Sequence, residues 1–175
     1  MAFPLPLPMR RALDLAAEAA AQGEVPVGAV IARGEEIIAT SANMMLSGND
    51  PTAHAEIVAI RRAAESLGQS RLDGLDLWAT LEPCAMCAGA IAHARIARLY
   101  YAADDPKGGA VAHGPRFFQQ PTCHHRPEVY AGIGAEEAAA QLRGFFAERR
   151  APAADPAETL SSGVQASIRR GDLRR

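Results

Sequence analysis

The chain has 175 residues, 49% of them hydrophobic and 22% charged, with a formal net charge of −2 and a pI of about 6.2. This composition is typical of one globular domain and excludes a wholly disordered chain. No apolar run reaches the about 20 residues of a membrane helix, and the three prolines within residues 4–8 make a poor signal peptide. Three cysteines, an odd number, argue against a disulfide framework. We therefore expect a cytoplasmic protein with no membrane partner.

The spacing of apolar residues predicts alternating helices and strands after an initial hairpin. In chain order, we expect a helix over residues 10–21, a β-hairpin of strands 25–32 and 36–42, a helix over 53–67, a strand over 75–81, a helix over 84–94, a strand over 96–102 and a helix over 136–150. The unit from 75 to 102 is a βαβ crossover, which favours parallel pairing of its strands. The sequence therefore predicts an α/β fold around one mostly buried sheet.

Two segments fall outside this pattern. Residues 104–127 are polar and rich in Gly and Pro, so we expect a long loop with a functional role. Residues 151–175 lose all periodicity and shift towards Ala, Pro, Ser and Arg, a composition typical of disorder. We therefore divide the chain into a folded domain at 1–150 and a C-terminal tail at 151–175.

The segment Pro83-Cys84-Ala85-Met86-Cys87 opens one of the predicted helices. Two cysteines three residues apart lie on one helix face, so both sulfurs can converge on one metal ion. The free N–H groups at a helix start favour thiolates and lower the pKa of both cysteines. His54 opens its own predicted helix and can be aimed at the same point. Three such ligands without an obvious fourth leave one position open, which on zinc indicates catalysis by bound water.

Glu56 follows His54 by two residues, about 200° around the predicted helix. This direction places its carboxylate beside the open position of the metal, where it can take a proton from the water and deliver it to a leaving group. Taken alone, the two cysteines would also suit a redox pair, and a His-x-Glu segment is usually an ordinary helix start. Their occurrence together, each at a helix start, favours the metal interpretation.

Five longer segments carry a resemblance to a known family. They read EVPVGAV at 24–30, NDPTAHAEIVAI at 49–60, TLEPCAMCAGAI at 80–91, DDPKGGA at 104–110 and FFQQPTCHHRPEVY at 117–130. With the pair HAE and PCAMC, they resemble the zinc nucleobase deaminases. The chain is most similar to the bacterial tRNA-specific adenosine deaminases, within the cytidine/deoxycytidylate deaminase-like superfamily. The resemblance runs from about residue 9 to residue 150.

This resemblance implies a cytidine-deaminase-like three-layer α-β-α sandwich with a central mixed five-stranded sheet, and a homodimer in solution. It implies a hydrolase that converts the wobble adenosine (position 34) of a tRNA anticodon to inosine, with the anticodon stem-loop as partner. One Zn²⁺ per subunit would be bound by His54, Cys84 and Cys87, with Glu56 as the proton shuttle. Asn43 would hydrogen-bond the flipped-out nucleoside, since its amide offers both a donor and an acceptor.

The resemblance also implies contacts with the RNA. It places Lys107 near a phosphate and Asp104 or Asp105 near a sugar hydroxyl, although a solvated loop with balancing charges is the alternative. The last predicted helix carries three further candidates for phosphate contact, for which a solvated basic helix end is an equal alternative: Arg143, Arg149 and Arg150.

Two other functions stay open at this point. A deaminase of a free base or nucleoside, such as guanine, cytosine or adenosine, would need the same residues around the metal. A structural zinc site would instead need a fourth protein ligand, for which Cys123 and His125 are the candidates. We prefer a polar loop in which His124 and His125 face solvent, and we leave Cys123 out of the metal assignment.

Overall fold

A computed structural model describes residues 4–150 of the chain. Within this range, the helices and strands occur in the order α1 (Leu7–Ala21), β1 (Gly28–Arg33), β2 (Glu36–Ala42), α2 (Ala55–Leu67), β3 (Asp76–Leu81), α3 (Ala85–Ala94), β4 (Arg98–Ala103), a 3-10 turn (Phe117–Gln119), β5 (Glu128–Ala131) and α4 (Ala135–Arg150). None of the helices described is long and apolar enough to cross a membrane.

The five strands form one mixed sheet in the order β2-β1-β3-β4-β5. Strand β1 is antiparallel to both β2 and β3, while β4 is parallel to both β3 and β5. The predicted hairpin and the predicted parallel βαβ unit are therefore confirmed. The crossover through α3 brings the start of that helix to the end of β3, where the cysteines lie.

Alternate residues of the strands face two separate hydrophobic clusters. From β1, Ala29 and Ile31 face the cluster that includes α2 and α3, while Val30 and Ala32 face the cluster that includes α1. Helix α4 contributes Ala138 to the second cluster. The fold is therefore an α-β-α sandwich, as expected for a deaminase-like α/β protein.

The helix α1 packs unusually close to the sheet at Gly28. A Cβ atom on this residue would lie 2.0 Å from the carbonyl oxygen of Ala12. Because nothing larger than hydrogen fits, glycine is required at the start of β1. This strand also holds Val27, the residue before it, at the edge of the site described below.

Several predicted boundaries differ from the structure for local reasons. Strand β1 begins at Gly28 rather than at residue 25, because the N–H of Val27 bonds to the carbonyl of Val25 in a tight turn around Pro26. Strand β5 was not predicted from the residues, since all four of its side chains are exposed and show no apolar alternation. Helices α2 and α3 begin one residue after His54 and Cys84, which are their N-cap residues.

The chain divides into two compact units, Met1–Phe145 and Phe146–Arg175. Of the second unit, the structure describes only Phe146–Arg150, the last turn of α4. The tail predicted at 151–175 lies outside the described residues.

Candidate functional site

Three potential metal ligands converge where α2 and α3 begin. His54 is the N-cap residue of α2, Cys84 is the N-cap residue of α3, and Cys87 lies one turn into α3. The Nδ1 atom of His54 is 3.7 Å from the Sγ of Cys84 and 3.5 Å from the Sγ of Cys87. All three ligand atoms lie within 4.8 Å of one another. The two helix starts therefore form a group that could hold a metal ion.

The separations suit a tetrahedral ion with sulfur and nitrogen ligands. Bond lengths of about 2.3 Å to sulfur and 2.0 to 2.1 Å to nitrogen place the two atoms about 3.5 Å apart in a tetrahedron. This agrees with the distances between His54 and the two sulfurs. Two thiolates and one imidazole are also a donor set that zinc prefers.

The two sulfurs differ in their affinity for a proton. A hydrogen bond with Cys87 lowers the pKa of the Cys84 thiol to about 3, and His54 strengthens this effect against the opposing effect of burial. The same hydrogen bond, together with burial, raises the pKa of Cys87. The lowered pKa of Cys84 agrees with the expected thiolate at this helix start, and the raised pKa of Cys87 means that this sulfur holds its proton more tightly. A metal ion must displace that proton when it binds.

Glu56 lies in the first turn of α2 and is buried, with 4% of its surface exposed. Its Oε2 atom has no hydrogen-bond partner among the described residues. Burial raises the pKa of this carboxyl above its ordinary value. A buried carboxyl with one oxygen left without a partner is costly to maintain, so it indicates a functional group rather than a structural one.

A cavity of about 250 Å³ opens above these side chains. It is lined by Val25, Val27, Asn43, Met45, His54, Glu56, Leu81, Glu82, Cys84, Asp105 and Gly108. The structure thus brings five of the site residues that the sequence singled out to one cavity wall: Asn43, His54, Glu56, Cys84 and Asp105. Cys87 is fully buried, next to the cavity rather than on its wall.

Asn43 follows β2 and is buried at the cavity wall. Its Nδ2 atom donates a hydrogen bond of 3.1 Å to the Oε2 of Glu24. The other oxygen of Glu24 accepts hydrogen bonds from the N–H groups of Leu46 and Ser47. Since one amide hydrogen is engaged by Glu24, the Asn43 side chain has a fixed orientation, and its oxygen and second N–H can serve a ligand.

The loop after β4 places its charged residues differently. Asp105 lines the cavity, and its Oδ1 accepts hydrogen bonds from the N–H groups of Lys107 and Gly108. Asp104 and Lys107 are exposed and do not line the cavity. Of the two aspartates proposed for the substrate, Asp105 is therefore the one at the cavity.

The proposed fourth ligands of a structural zinc site lie in other contacts. Cys123 donates a hydrogen bond from its sulfur to the carbonyl of His125, whose Nε2 donates to the carbonyl of Ile96. Neither residue belongs to the ligand group of His54. His124 faces solvent as expected, but for His125 that expectation is wrong, since this residue is partly buried and its ring bonds to the carbonyl of Ile96.

The three arginines proposed for RNA contact all lie on α4. Arg143 is exposed in the middle of the helix, and Arg149 and Arg150 are exposed in its last turn. The last two belong to the second compact unit.

The sequence did not reveal the roles of two buried acidic residues, Glu82 on the cavity wall and Glu24 bonded to Asn43. Glu24 and Glu82 are each 2% exposed, and each accepts several hydrogen bonds from a neighbouring loop. Each of them is the single acidic residue of a segment without other charges: Glu24 in EVPVGAV and Glu82 in TLEPC. This isolation was the available signal. A charge at such a position needs buried partners.

Comparison with known proteins identifies relatives of the whole described domain. Residues 7–150 match the family model of MafB19-like deaminases. A tRNA-specific adenosine deaminase from Agrobacterium fabrum is 58% identical over 142 residues, which are 81% of this chain and 93% of that protein. A structure from studies of A-to-I editing by tRNA:A34 deaminases is 57% identical, covers 77% of this chain and 98% of its own, and superimposes with a TM-score of 0.76.

A more distant structure, a guanine deaminase from Bacillus subtilis, is 32% identical over 96% of both chains, with a TM-score of 0.55. Sequence identity and TM-score are both higher for the tRNA:A34 deaminase structure than for the guanine deaminase, although the guanine deaminase matches more of the present chain. With its three converging ligands and its buried glutamate, the chain belongs to the family of tRNA-specific adenosine deaminases.

Proposed function

We propose that the protein deaminates adenosine to inosine at the wobble position, 34, of a tRNA anticodon by hydrolysis. The observation that carries this proposal is that the ligand group of His54, Cys84 and Cys87 lies beside the cavity that Glu56 lines, with one oxygen of this buried carboxyl left without a partner. The identity to tRNA-specific adenosine deaminases supports the choice of substrate.

His54, Cys84 and Cys87 would hold one Zn²⁺ per subunit, since their atoms have the separations and the chemistry that a tetrahedral zinc site requires. When bound, Zn²⁺ lowers the pKa of a coordinated water to about 7 and so supplies hydroxide near neutral pH. The three protein ligands leave room for that water.

Glu56 carries the proton transfers of the reaction. Burial raises the pKa of this carboxyl, so it holds a proton more readily than an ordinary glutamate does and can pass it on. It would take a proton from the water that adds at C6 and deliver it to N1 of adenine, then take the proton of the resulting C6 hydroxyl and deliver it to the exocyclic amine, which leaves as ammonia. Burial excludes bulk water from this carboxylate, so the transferred protons reach the substrate instead.

The walls of the cavity would hold the base and its sugar. Asn43, fixed by Glu24, offers an oxygen and an N–H to the flipped-out nucleoside. Asp105 lies at the opening and can accept a hydrogen bond from a sugar hydroxyl, while Lys107 outside the cavity can reach a phosphate. An anticodon loop already presents splayed bases, so little energy is needed to bring one into the cavity. Arg143, Arg149 and Arg150 are further candidates for phosphate contact.

The experiment is incubation of the purified protein with an anticodon stem-loop that carries adenosine at position 34. A matched stem-loop with guanosine there is the control for substrate identity. We expect inosine at position 34, detected by mass spectrometry, and slow or no turnover of free adenosine, cytosine or guanine.

Deamination of a free base is the second candidate function, which the likeness to the guanine deaminase favours. The same experiment separates the two. Fast turnover of guanine, with none of the stem-loop, would establish the second function and reject the first.

The proposal includes a homodimer in the cytoplasm with one zinc ion in each subunit. A groove of about 410 Å³ between α2 and α3 is a candidate surface for this dimer, with Ile57, Ile60 and Ala90 beside the basic residues Arg61 and Arg71 in its lining. One chain has a mass of 18.5 kDa, and light scattering after size exclusion should give twice that mass. A single-chain mass at micromolar concentration would contradict it.

A further inference from the structure

Glu82 lies between the sheet and the candidate metal ligands. It follows the last residue of β3 directly and precedes Cys84 by two residues. Its side chain is fully buried, with 0% exposure. Its N–H donates to the carbonyl of Ala103 at the end of β4, so its backbone still continues the pairing of these two strands.

The carboxylate of Glu82 is surrounded by donors from one loop. Oε1 accepts hydrogen bonds of 3.0, 2.8 and 3.0 Å from the N–H groups of Val111, Ala112 and His113. Oε2 accepts bonds of 3.0 Å from the N–H of Asp105 and 2.7 Å from Nδ1 of His113. Both ends of the segment 105–113, which we call the clasp loop, are thus held by a single buried carboxylate.

The clasp loop approaches Glu82 more closely than a side chain would allow. A Cβ atom on Gly109 would lie 2.4 Å from the Cδ of Glu82 and 2.5 Å from the carbonyl of Asp105. The next residue, Ala110, donates its N–H to the carbonyl of Pro83 at 2.9 Å. The loop is therefore joined to the residues just before Cys84 through both a side chain and the backbone.

The hydrogen bonds from the clasp loop to Glu82 and Pro83 fix the position of the cavity wall relative to the metal ligands. Asp105 and Gly108 of the clasp loop line the cavity together with Cys84. The oxygens of Glu82 are occupied by the loop, so they are not free to bind a substrate. Any effect of Glu82 on the substrate must pass through the loop that it holds.

We propose that Glu82 is a positioning residue that holds the clasp loop in register with Cys84, so that Asp105 and Lys107 meet the RNA around a base seated in the cavity. This inference rests on the proposed function. It assigns to Glu82 an effect on the affinity for the stem-loop rather than on the proton transfers.

The sharpest test moves the clasp loop without changing any charge. In Gly109→Ala, the added methyl group pushes the loop away from Glu82. The matched control is Gly144→Ala in α4, where a Cβ atom meets nothing within 4 Å. Glu82→Gln, which keeps one acceptor oxygen and removes the other, is the second variant. For each protein, zinc content, kcat and KM on the anticodon stem-loop, and hydrogen exchange of residues 105–113 are measured.

We expect Gly109→Ala and Glu82→Gln to raise KM by roughly 10- to 100-fold, the effect on affinity of losing a hydrogen bond to a charged group. Their kcat should change much less, their zinc content should stay at one per chain, and the amides of the clasp loop should exchange faster. Gly144→Ala should match the wild type in every measurement.

The inference is overturned if both variants keep KM within about twofold of the wild type, a change too small for a displaced binding group. It is also overturned if zinc content and kcat fall together, because Glu82 would then support the metal centre instead. A wild type that deaminates a free base but not the stem-loop rejects the proposed function itself, and this is visible without any variant.

Discussion

Two buried carboxylates on the wall of the same cavity have opposite environments. Glu56, at the start of α2, has an oxygen without any partner among the described residues, and burial raises its pKa. For Glu82, at the end of β3, burial would also raise the pKa. Hydrogen bonds from the N–H groups of Asp105 and His113, and from the His113 ring, instead lower it to about 2. Burial alone therefore does not determine the role of an acidic residue; its partners do.

The difference assigns the two carboxylates of this cavity different roles, proton transfer for Glu56 and positioning of a loop for Glu82. The carboxyl of Glu56, with its raised pKa and one free oxygen, can accept and release a proton, whereas the carboxylate of Glu82 stays ionised and holds a loop in place. Substitutions on the two sides should therefore change different measured quantities.

The largest effect is expected where the metal ligands are removed. Cys84→Ala removes the sulfur with the lowest proton affinity, so the zinc site loses a ligand. We expect zinc below stoichiometry, no detectable deamination and a lower Tm, because ligation is coupled to folding. Elemental analysis and thermal unfolding test this. Cys123→Ala is the matched control, since its sulfur bonds only to a carbonyl; full zinc content and activity in Cys84→Ala would show that the ligand set is wrong.

Glu56→Gln should remove activity without removing the metal. The amide keeps the shape of the side chain but cannot carry a proton, so kcat should fall by about 10²- to 10⁴-fold, the usual contribution of a general acid or base. Zinc content should be unchanged, and the free energy of unfolding should stay equal or rise, since a costly unpaired carboxylate is removed. An activity within a few-fold of the wild type would place the proton shuttle elsewhere.

The contribution of Glu82 to the free energy of unfolding should decrease at acidic pH. The pKa of Glu82 is about 2 in the folded chain, against 4.5 when it is unperturbed. Because the folded value is the lower one, the stabilisation is present above pH 4.5 and is lost as the pH falls towards 2. The shift corresponds to about 3 kcal/mol, of which about 2 kcal/mol is lost by pH 3.

The measurement is urea unfolding of the wild type and of Glu82→Gln at pH 6 and pH 3. The difference in unfolding free energy between the two proteins should shrink by about 2 kcal/mol at the lower pH. The comparison cancels the titration of the cysteines and His54, which both proteins share. A difference that does not depend on pH would mean that Glu82 is not selectively stabilised in its ionised form.

The contrast also explains which part of the site could be predicted from the sequence. His54, Cys84 and Cys87 were identifiable because each ligand lies at a helix start, where spacing of a few residues determines direction. Glu82 was not, because the donors that define its role come 23 to 31 residues later in a loop without periodicity.

The fold shows the same limit. The hairpin and the βαβ unit have local apolar patterns and were predicted, with errors at the boundaries. Strand β5 has four exposed residues, Glu128–Ala131, and is defined only by its pairing with β4. The five-stranded sheet was therefore expected from the family resemblance alone. His125 was likewise misplaced because its partner, Ile96, is 29 residues away.

The smallest effect is expected at the tip of the clasp loop. Lys107 is exposed and is the single lysine of the sequence. If its ammonium group contacts one phosphate, Lys107→Ala should weaken binding of the stem-loop a few-fold and reduce the slope of log K against log salt by about 0.7, the value for one contact with single-stranded nucleic acid. Its kcat should not change, since it lies outside the cavity. The control is Arg33→Ala, which removes an exposed cation at the last residue of β1. The cavity lies at the other end of this strand, where Val27 precedes its first residue. An unchanged slope for Lys107→Ala would restrict RNA recognition by this loop to its cavity-facing residues, and would leave Asp105, held by Glu82, as the contact to examine.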